Sequence, residues 1–125
     1  MFRFLMWYAQ AFVAAANTDP RLLDAVMAVE SGGEQFAISA ENCMGLYQIN
    51  PRYTPLPKWA LFVPALARAE AARQLYLWRK RAKGDTTAAL AAYNCGNAGL
   101  RNVCGRAYAI RVFSRRTHDH RTVAR

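Results

Sequence analysis

Histidine is almost missing from this sequence of 125 residues, and cysteine is scarce. The two histidines, His118 and His120, lie near the end of the chain, and no two cysteines form a CxxC pair. A structural zinc site needs four such ligands at close spacing, so the sequence argues against one, and we expect no metal or other cofactor. Cys43, Cys95 and Cys104 leave two possibilities open: one disulfide with a free thiol, or three free thiols.

Long apolar runs, internal repeats and low-complexity segments are absent as well. The N-terminal stretch MFRFLMWYAQAFVAAAN is too short to span a bilayer, and Gln10 interrupts the apolar run that a signal peptide needs. We therefore predict no membrane span and no convincing signal peptide. The stretch instead predicts an amphipathic first helix, whose inner stripe consists of Leu5, Tyr8, Phe12 and Ala16.

Acidic residues number only 8 against 17 lysines and arginines, which gives a net charge of +9. Such a protein is attracted to polyanions, and nucleic acid, an anionic membrane and an acidic cell-wall polymer all qualify. The apolar content of 54% and the charged content of 20% are those of a folded domain. We predict one domain over residues 1–116, followed by a basic polar tail at residues 117–125.

Helix signals dominate the chain, so we expect a mainly α fold with little or no β structure. NTDP begins a helix that runs from about Pro20 to Ser31, and Gly32-Gly33 ends it. Residues 33–58 are loop-rich, with at most a short β-hairpin near residues 38–48. Further helices are predicted at about residues 63–83 (inner stripe Ala65, Ala69, Ala72 and Tyr76) and in TTAALAAYN, GNAGLRNVCG and RAYAIRVFSRR.

Glu30 stands apart among the carboxylates, because it closes the apolar run LLDAVMAV in the last turn of its helix. The others have ordinary interpretations as caps, loop residues or, like Glu70, members of helices rich in basic residues. Apolar neighbours and the negative helix end should raise the pKa of Glu30 from about 4.3 toward about 6–7, which suits a general acid. A helix-terminal glutamate paired with an arginine is the alternative interpretation.

Two other segments place polar side chains in apolar or glycine-rich settings. GLYQIN contains Gly45 and Gln48, and AAYN contains Tyr93 and Asn94. Buried amides and phenols need hydrogen-bond partners, and several of them around one groove are suited to gripping a polymer. Taken alone, a tyrosine at a helix end is more often a core residue than a site residue.

In combination, these motifs resemble those of the lytic transglycosylases, and specifically of the soluble-lytic-transglycosylase (SLT) domain with its lysozyme-like fold. The resemblance covers about residues 8–113. It implies a helical domain with a substrate cleft. In order along the chain, the matching residues are Glu30-Ser31, Ser39, Gly45-Leu46-Tyr47-Gln48, Ala92-Tyr93-Asn94-Cys95-Gly96 and Tyr108.

The resemblance also implies a role for each matching residue. Glu30 is expected to be the single catalytic acid and base, and Ser39 to contact either the substrate's N-acetyl group or the glutamate. Tyr93 is expected to hydrogen-bond the Glu30 carboxylate, and Tyr108 to close the same pocket. The expected substrate-binding residues are Ser39, Tyr47 (where the family has methionine), Gln48, Tyr93, Asn94 and Tyr108.

The activity implied is cleavage of the β-1,4 bond between N-acetylmuramic acid and N-acetylglucosamine in peptidoglycan, with formation of a 1,6-anhydro sugar. The alternative is a muramidase that hydrolyses the same bond, although Asn50 stands where goose-type lysozymes have an acidic residue. An intact Glu30 argues against a domain that binds glycan without cutting it. A basic nucleic-acid binder would leave the motifs unexplained.

We expect a monomer without a nucleic-acid partner, acting at the bacterial cell wall and encoded by a bacterium or a bacteriophage.

Overall fold

The protein folds into packed α-helices joined by turns. A computed structural model describes the backbone of residues 2–124 and the side chains of residues 2–117. Within this part of the chain there is no β-strand, and the possible hairpin is reduced to isolated bridges from Met44 to Ile38 and Ile49. The mainly α fold is confirmed. Its elements are α1 (Phe2–Asn17), α2 (Pro20–Ser31), two 3₁₀ turns (Pro51–Tyr53 and Lys58–Phe62), α3 (Pro64–Arg81), α4 (Thr86–Cys95), α5 (Ala98–Arg101) and α6 (Arg106–Ala124).

Both ends of α2 lie where its capping signals predict them. The Asp19 carboxylate accepts a 2.9 Å hydrogen bond from the Arg21 backbone N–H, and Pro20 occupies the first turn. At the other end Gly32 has a left-handed φ of 64°, and its N–H donates back into the last turn at 3.1 Å. A left-handed residue cannot continue a right-handed helix, so Glu30 is held in the final turn of α2.

The alanine-rich helix α4 packs against α3, α5 and α6 in the middle of the domain. Residues 88–92 are all buried. Small side chains let the neighbouring segments approach the α4 backbone, and a Cβ at Gly99 or Gly105 would collide with the backbone of Ala91. Tyr93 and Asn94 follow this buried stretch and are therefore fixed by it.

The cysteines form one disulfide and leave one free thiol. Cys95 at the end of α4 is bonded to Cys104, just before α6. Cys43 is free and half-buried. Of the two possibilities that the sequence leaves open, the structure adopts the first, and the disulfide joins the two helices that carry Tyr93 and Tyr108.

The prediction for the inner face of α1 is wrong. Trp7, Ala11 and Ala14 are buried, and the Trp7 indole N–H donates a 2.6 Å hydrogen bond to the carboxylate of Glu70 in α3. Because α1 is apolar almost all round, its periodicity does not identify the buried side, and this polar contact does. The predicted stripe is exposed instead: Leu5, Tyr8, Phe12 and Ala16.

The stripe predicted for α3 is wrong for most of its members. Ala72 is buried, but Ala69 and Tyr76 are only half-buried and Ala65 is exposed. Alanine contributes little to an amphipathic pattern, so the register of the pattern is poorly defined here. The buried residues of α3 are Ala67, Glu70, Ala71, Ala72 and Leu75.

Glu70 is a buried carboxylate rather than one more charge on a basic helix. It is 0% exposed and accepts hydrogen bonds from the Trp7 indole, from the Arg73 guanidinium at 2.7 and 3.0 Å, and from the Gln74 amide at 2.8 Å. A second amide, that of Gln10, accepts a 3.0 Å bond from Arg73. These contacts fasten α1 to α3.

Helix α6 continues through Ala124, so the backbone of the predicted polar tail up to that residue belongs to a helix. The side chains of residues 118–125 lie outside the described part of the chain, and the polar character of the tail stays a prediction. No described helix is both long and apolar enough to cross a membrane.

Candidate active site

Glu30 lies half-buried in the last turn of α2, which packs against α6. Burial raises the pKa of its carboxyl group from the ordinary value of 4.5 to about 7. Two groups of α6 act in the opposite direction, since the Tyr108 hydroxyl and, less strongly, the Arg111 charge lower that pKa. The carboxyl group is therefore protonated in a large fraction of molecules near neutral pH, as a general acid requires.

Tyr108 of α6 is a neighbour of Glu30. Its ring is 3% exposed and lies parallel to the ring of Tyr93, with centroids 6.4 Å apart. Its hydroxyl lies near enough to Glu30 to affect the carboxyl pKa, but the two groups do not form a closed hydrogen bond. Within the described side chains, the Tyr108 hydroxyl is the one buried polar atom without a partner. It is thus available to the glutamate or to a bound sugar.

Tyr93 makes a different contact from the one expected. Its hydroxyl donates a 2.8 Å hydrogen bond to the backbone carbonyl of Tyr47. Burial raises the pKa of Tyr93 well above its ordinary value, and the nearby Glu30 charge adds to the effect. Tyr93 therefore holds the loop around Tyr47, and its hydroxyl proton is bound by the Tyr47 carbonyl rather than by the Glu30 carboxylate.

Tyr47 belongs to the core and does not present its side chain to a cleft. The residue is 1% exposed, and its hydroxyl accepts a 2.8 Å hydrogen bond from Arg68, which also pairs with Asp24 at 2.8 Å. Its substitution for the family's methionine thus changes the packing behind the loop. The backbone carbonyl is the part of Tyr47 that reaches Tyr93.

The loop between α2 and α3 positions Gln48 and Ser39 through short-range hydrogen bonds. Gln48 has a left-handed φ of 52°, and its amide donates to the carbonyls of Gly45 at 3.1 Å and Ala37 at 3.3 Å. The Ser39 hydroxyl accepts a 3.1 Å bond from the Cys43 backbone N–H. Both side chains therefore hold the loop in this conformation, in addition to any contact with substrate.

A cavity of about 880 Å³ adjoins this loop. Three of the predicted site residues, Gln48, Tyr93 and Asn94, line it, and its size suits a stretch of polymer substrate. Glu30, Ser39, Tyr47 and Tyr108 are not among its lining residues. A second cavity, of about 220 Å³, lies between α2, α3, α4 and α6, and none of the predicted site residues lines it.

The charge of Glu30 acts on two groups that line the larger cavity. Burial is the main cause of the raised pKa of these two lining groups, the Cys43 thiol and the Tyr93 phenol. The negative charge of Glu30 raises both pKa values further.

Several lining residues were not expected from the sequence. Tyr53 and Trp78 offer aromatic surfaces, and the Arg81 guanidinium lies 4.8 Å from the Trp78 ring centroid. Trp78 stands in an ordinary helical segment, so no local motif marks it. The unexpected polar and aromatic lining residues are Asn50, Tyr53, Arg73, Gln74, Trp78, Lys80, Arg81 and Asn97.

Comparison with known proteins identifies the family of the chain. The sequence matches the family described as the transglycosylase SLT domain over residues 8–111, a segment that contains Glu30, Gln48, Tyr93 and Tyr108. No solved structure gives a significant match to the chain. At the level of the family, the match indicates cleavage of glycosidic bonds in peptidoglycan. The chain belongs to the transglycosylase SLT domain family.

Proposed function

We propose that the protein is a lytic transglycosylase that cleaves the β-1,4 bond between N-acetylmuramic acid and N-acetylglucosamine and leaves a 1,6-anhydro-muramic acid end. The observation that carries this proposal is the state of Glu30, whose carboxyl pKa is raised by burial to about 7 beside the unpartnered Tyr108 hydroxyl. One group with such a pKa can both give and take a proton near neutrality.

The reaction then needs one protein carboxyl group. Glu30 donates its proton to the glycosidic oxygen as the bond to C1 breaks, and the oxygen of the substrate's own N-acetyl group bonds to C1. In the second step the C6 hydroxyl attacks C1 and displaces the N-acetyl oxygen, while Glu30 takes the hydroxyl proton. The C6 hydroxyl belongs to the same sugar, so it is already held close to C1.

Hydrolysis with inversion would need a second carboxylate to activate water across the sugar ring. None of the described residues that line the larger cavity is an aspartate or a glutamate. Asn50 lines it, and its side-chain oxygen accepts a 2.9 Å bond from the Arg52 backbone N–H. Glu34 and Glu41 are exposed loop residues. This distribution of charge supports the internal hydroxyl, rather than water, as the acceptor.

The cavity also offers groups suited to a glycan with acidic side branches. Tyr53 and Trp78 provide apolar faces for sugar rings, and Asn94 is an exposed amide. The stem peptides of peptidoglycan carry free carboxylates, for which Lys80 and Arg81 are complementary partners. We propose that Ser39, Gln48 and Tyr108 complete this binding site, and that the protein works as a monomer at the cell wall.

Mass spectrometry of muropeptides released from purified peptidoglycan tests the proposed reaction. The expected product is lighter than the hydrolysed one by one water and resists borohydride reduction. Glu41→Gln should release the same product at a similar rate, since no step uses Glu41. Reducible, full-mass muropeptides would contradict the proposal. Loss of activity in Glu41→Gln would then identify the protein as a muramidase with Glu41 as the base.

A further inference from the structure

Helix α1 presents a wide apolar surface to solvent. At 100° per residue, its exposed apolar residues cover more than half of the helix circumference, and no charged residue interrupts them. The rings of Phe4, Tyr8 and Phe12 follow one another one turn apart along this side. The outer face of α1 consists of Phe2 (75% exposed), Phe4 (57%), Leu5 (58%), Met6 (50%), Tyr8 (62%), Phe12 (72%) and Val13 (42%).

This surface is larger than a freely soluble monomer usually shows. A phenylalanine or tyrosine side chain has roughly 150–250 Å² to bury, so the four rings of the outer face at these exposures already expose several hundred Å². The largest apolar patch on a typical monomer is about 300–600 Å², and larger ones mark interaction sites. We therefore expect the outer face of α1 to be an interaction site.

The orientation of α1 is fixed by polar contacts on its other side. Trp7 donates to Glu70, and Gln10 accepts from Arg73. A rotation that buried the phenylalanines would break both bonds and leave a buried carboxylate with fewer donors, which is costly. The apolar residues consequently face outward as a property of the fold.

We propose that the outer face of α1 docks onto an anionic lipid bilayer, with the helix lying in the plane of the membrane surface. Charge decides between the possible occupants. The protein carries +9, and α1 itself carries Arg3. The described carboxylates nearest α1 are matched by arginines, Glu70 by Arg73 at 2.7 Å and Asp19 by Arg116 at 3.7 Å.

Two features bind an interfacial helix to anionic membranes: a positive charge and an exposed apolar, aromatic face. This protein has both, in its net charge and in the outer face of α1. A second copy of this chain would bring another +9 toward the same surface, which is repulsive. A single convex helix also suits a soft acyl layer, since no groove is needed to receive it.

Co-sedimentation of the full chain with vesicles of phosphatidylglycerol or of phosphatidylcholine tests the proposal. The double variant Tyr8→Gln/Phe12→Gln removes two rings at positions that are mostly exposed, so the fold should persist, as circular dichroism will check. The matched control is Val103→Gln/Ile110→Gln, at apolar positions that are 84% and 66% exposed but lie elsewhere.

We expect the wild type to bind phosphatidylglycerol vesicles strongly and phosphatidylcholine vesicles weakly. Loss of two half-inserted rings should lower the partition coefficient of the Tyr8/Phe12 variant by at least ~10-fold, while the control binds like the wild type. A second measurement uses Phe12→Trp and Val103→Trp with brominated lipids. The added tryptophan should be quenched at position 12 and not at position 103.

Three results would overturn the proposal. One is a wild type that stays in the supernatant with phosphatidylglycerol at low salt. Another is a Tyr8/Phe12 variant that binds as well as the wild type, because charge alone would then hold the protein. The third is a stable dimer in analytical ultracentrifugation that the Tyr8/Phe12 variant disperses, which would make a second copy the occupant.

Discussion

Two glutamates of this small domain have different surroundings. Glu70 is 0% exposed, and its oxygens receive hydrogen bonds from Trp7, Arg73 and Gln74 at 2.6–3.0 Å. Glu30 is half-buried beside Tyr108, whose hydroxyl has no partner, and its pKa is raised to about 7. One carboxylate is surrounded by donors, and the other has a single tyrosine hydroxyl beside it.

This difference in surroundings distinguishes a glutamate with a structural role, Glu70, from one suited to catalysis, Glu30. A carboxylate whose oxygens are occupied by donors from two helices joins those helices together. A carboxyl group that is desolvated without full compensation holds its proton up to neutral pH and can deliver it to a substrate. Burial alone therefore does not identify the catalytic acid. Burial of a carboxyl group that has few hydrogen-bond donors around it does.

The largest effect should come from Glu30→Gln. The amide keeps the shape of the side chain but cannot donate and retrieve a proton, so turnover on peptidoglycan should fall by about 10²–10⁴-fold. Muropeptide release per folded molecule measures the loss. Glu70→Gln is the matched control and should keep most of its activity at a temperature where it is folded. Near-normal lysis by folded Glu30→Gln would remove this residue from the mechanism.

Glu70→Gln should instead lower the free energy of unfolding. It leaves the half-buried Arg73 guanidinium without its carboxylate, and breaking a buried pair costs about 3–5 kcal/mol. Urea denaturation at pH 7 measures the change. Asp24→Asn breaks an ion pair with Arg68 whose carboxylate side chain is 55% exposed. That control should change stability by less than about 1 kcal/mol. Equal losses in the two variants would contradict the structural role of Glu70.

Glu30→Gln should also make the protein more stable at high pH. The wild-type carboxyl titrates near 4.5 when unfolded and at about 7 when folded, so between these values the unfolded state binds fewer protons and stability falls as pH rises. Glutamine removes this penalty. We expect a gain of up to about 3 kcal/mol at pH 8 and almost none at pH 4, at roughly 1.4 kcal/mol per pKa unit. A gain that is the same at both pH values would show that titration is not its cause.

The smallest effect is expected for Arg111→Gln. The positive charge lowers the pKa of Glu30, so its removal should raise that pKa. The alkaline limb of kcat/KM on soluble glycan should move to higher pH, with little change in the maximum. Arg101→Gln removes an equal charge from α5 and should leave the limb in place. A shift of the same size in both variants would assign the effect to net charge.

Local signals in the sequence predicted the helices and three of the residues that line the larger cavity. Asp19, Pro20 and Gly32 define α2, because capping depends on neighbouring backbone groups alone. Gln48, Tyr93 and Asn94 were expected at one cleft, and they line one cavity. The expectation came from the GLYQ and AYN motifs, which place polar side chains in glycine-rich or apolar settings.

Features that depend on tertiary contacts were not predictable in this way. The buried side of α1 is set by the bond of Trp7 to a residue 63 positions away, and an apolar helix carries no other mark of orientation. Tyr47 is drawn into the core because Arg68 provides a donor for its hydroxyl. Trp78 reaches the cavity through the crossing of α3 with its neighbours. Each case needs a partner that the local sequence does not reveal.

The central claim is that Glu30 is a carboxyl group poised near neutral pH, and direct titration tests it best. Carbon-13 NMR of glutamate carboxyl groups, with Glu30→Gln to assign the resonance, gives its pKa without any substrate. We expect a value of about 7 and an alkaline limb of kcat/KM at the same pH. A Glu30 resonance that titrates near 4.5 would contradict the account.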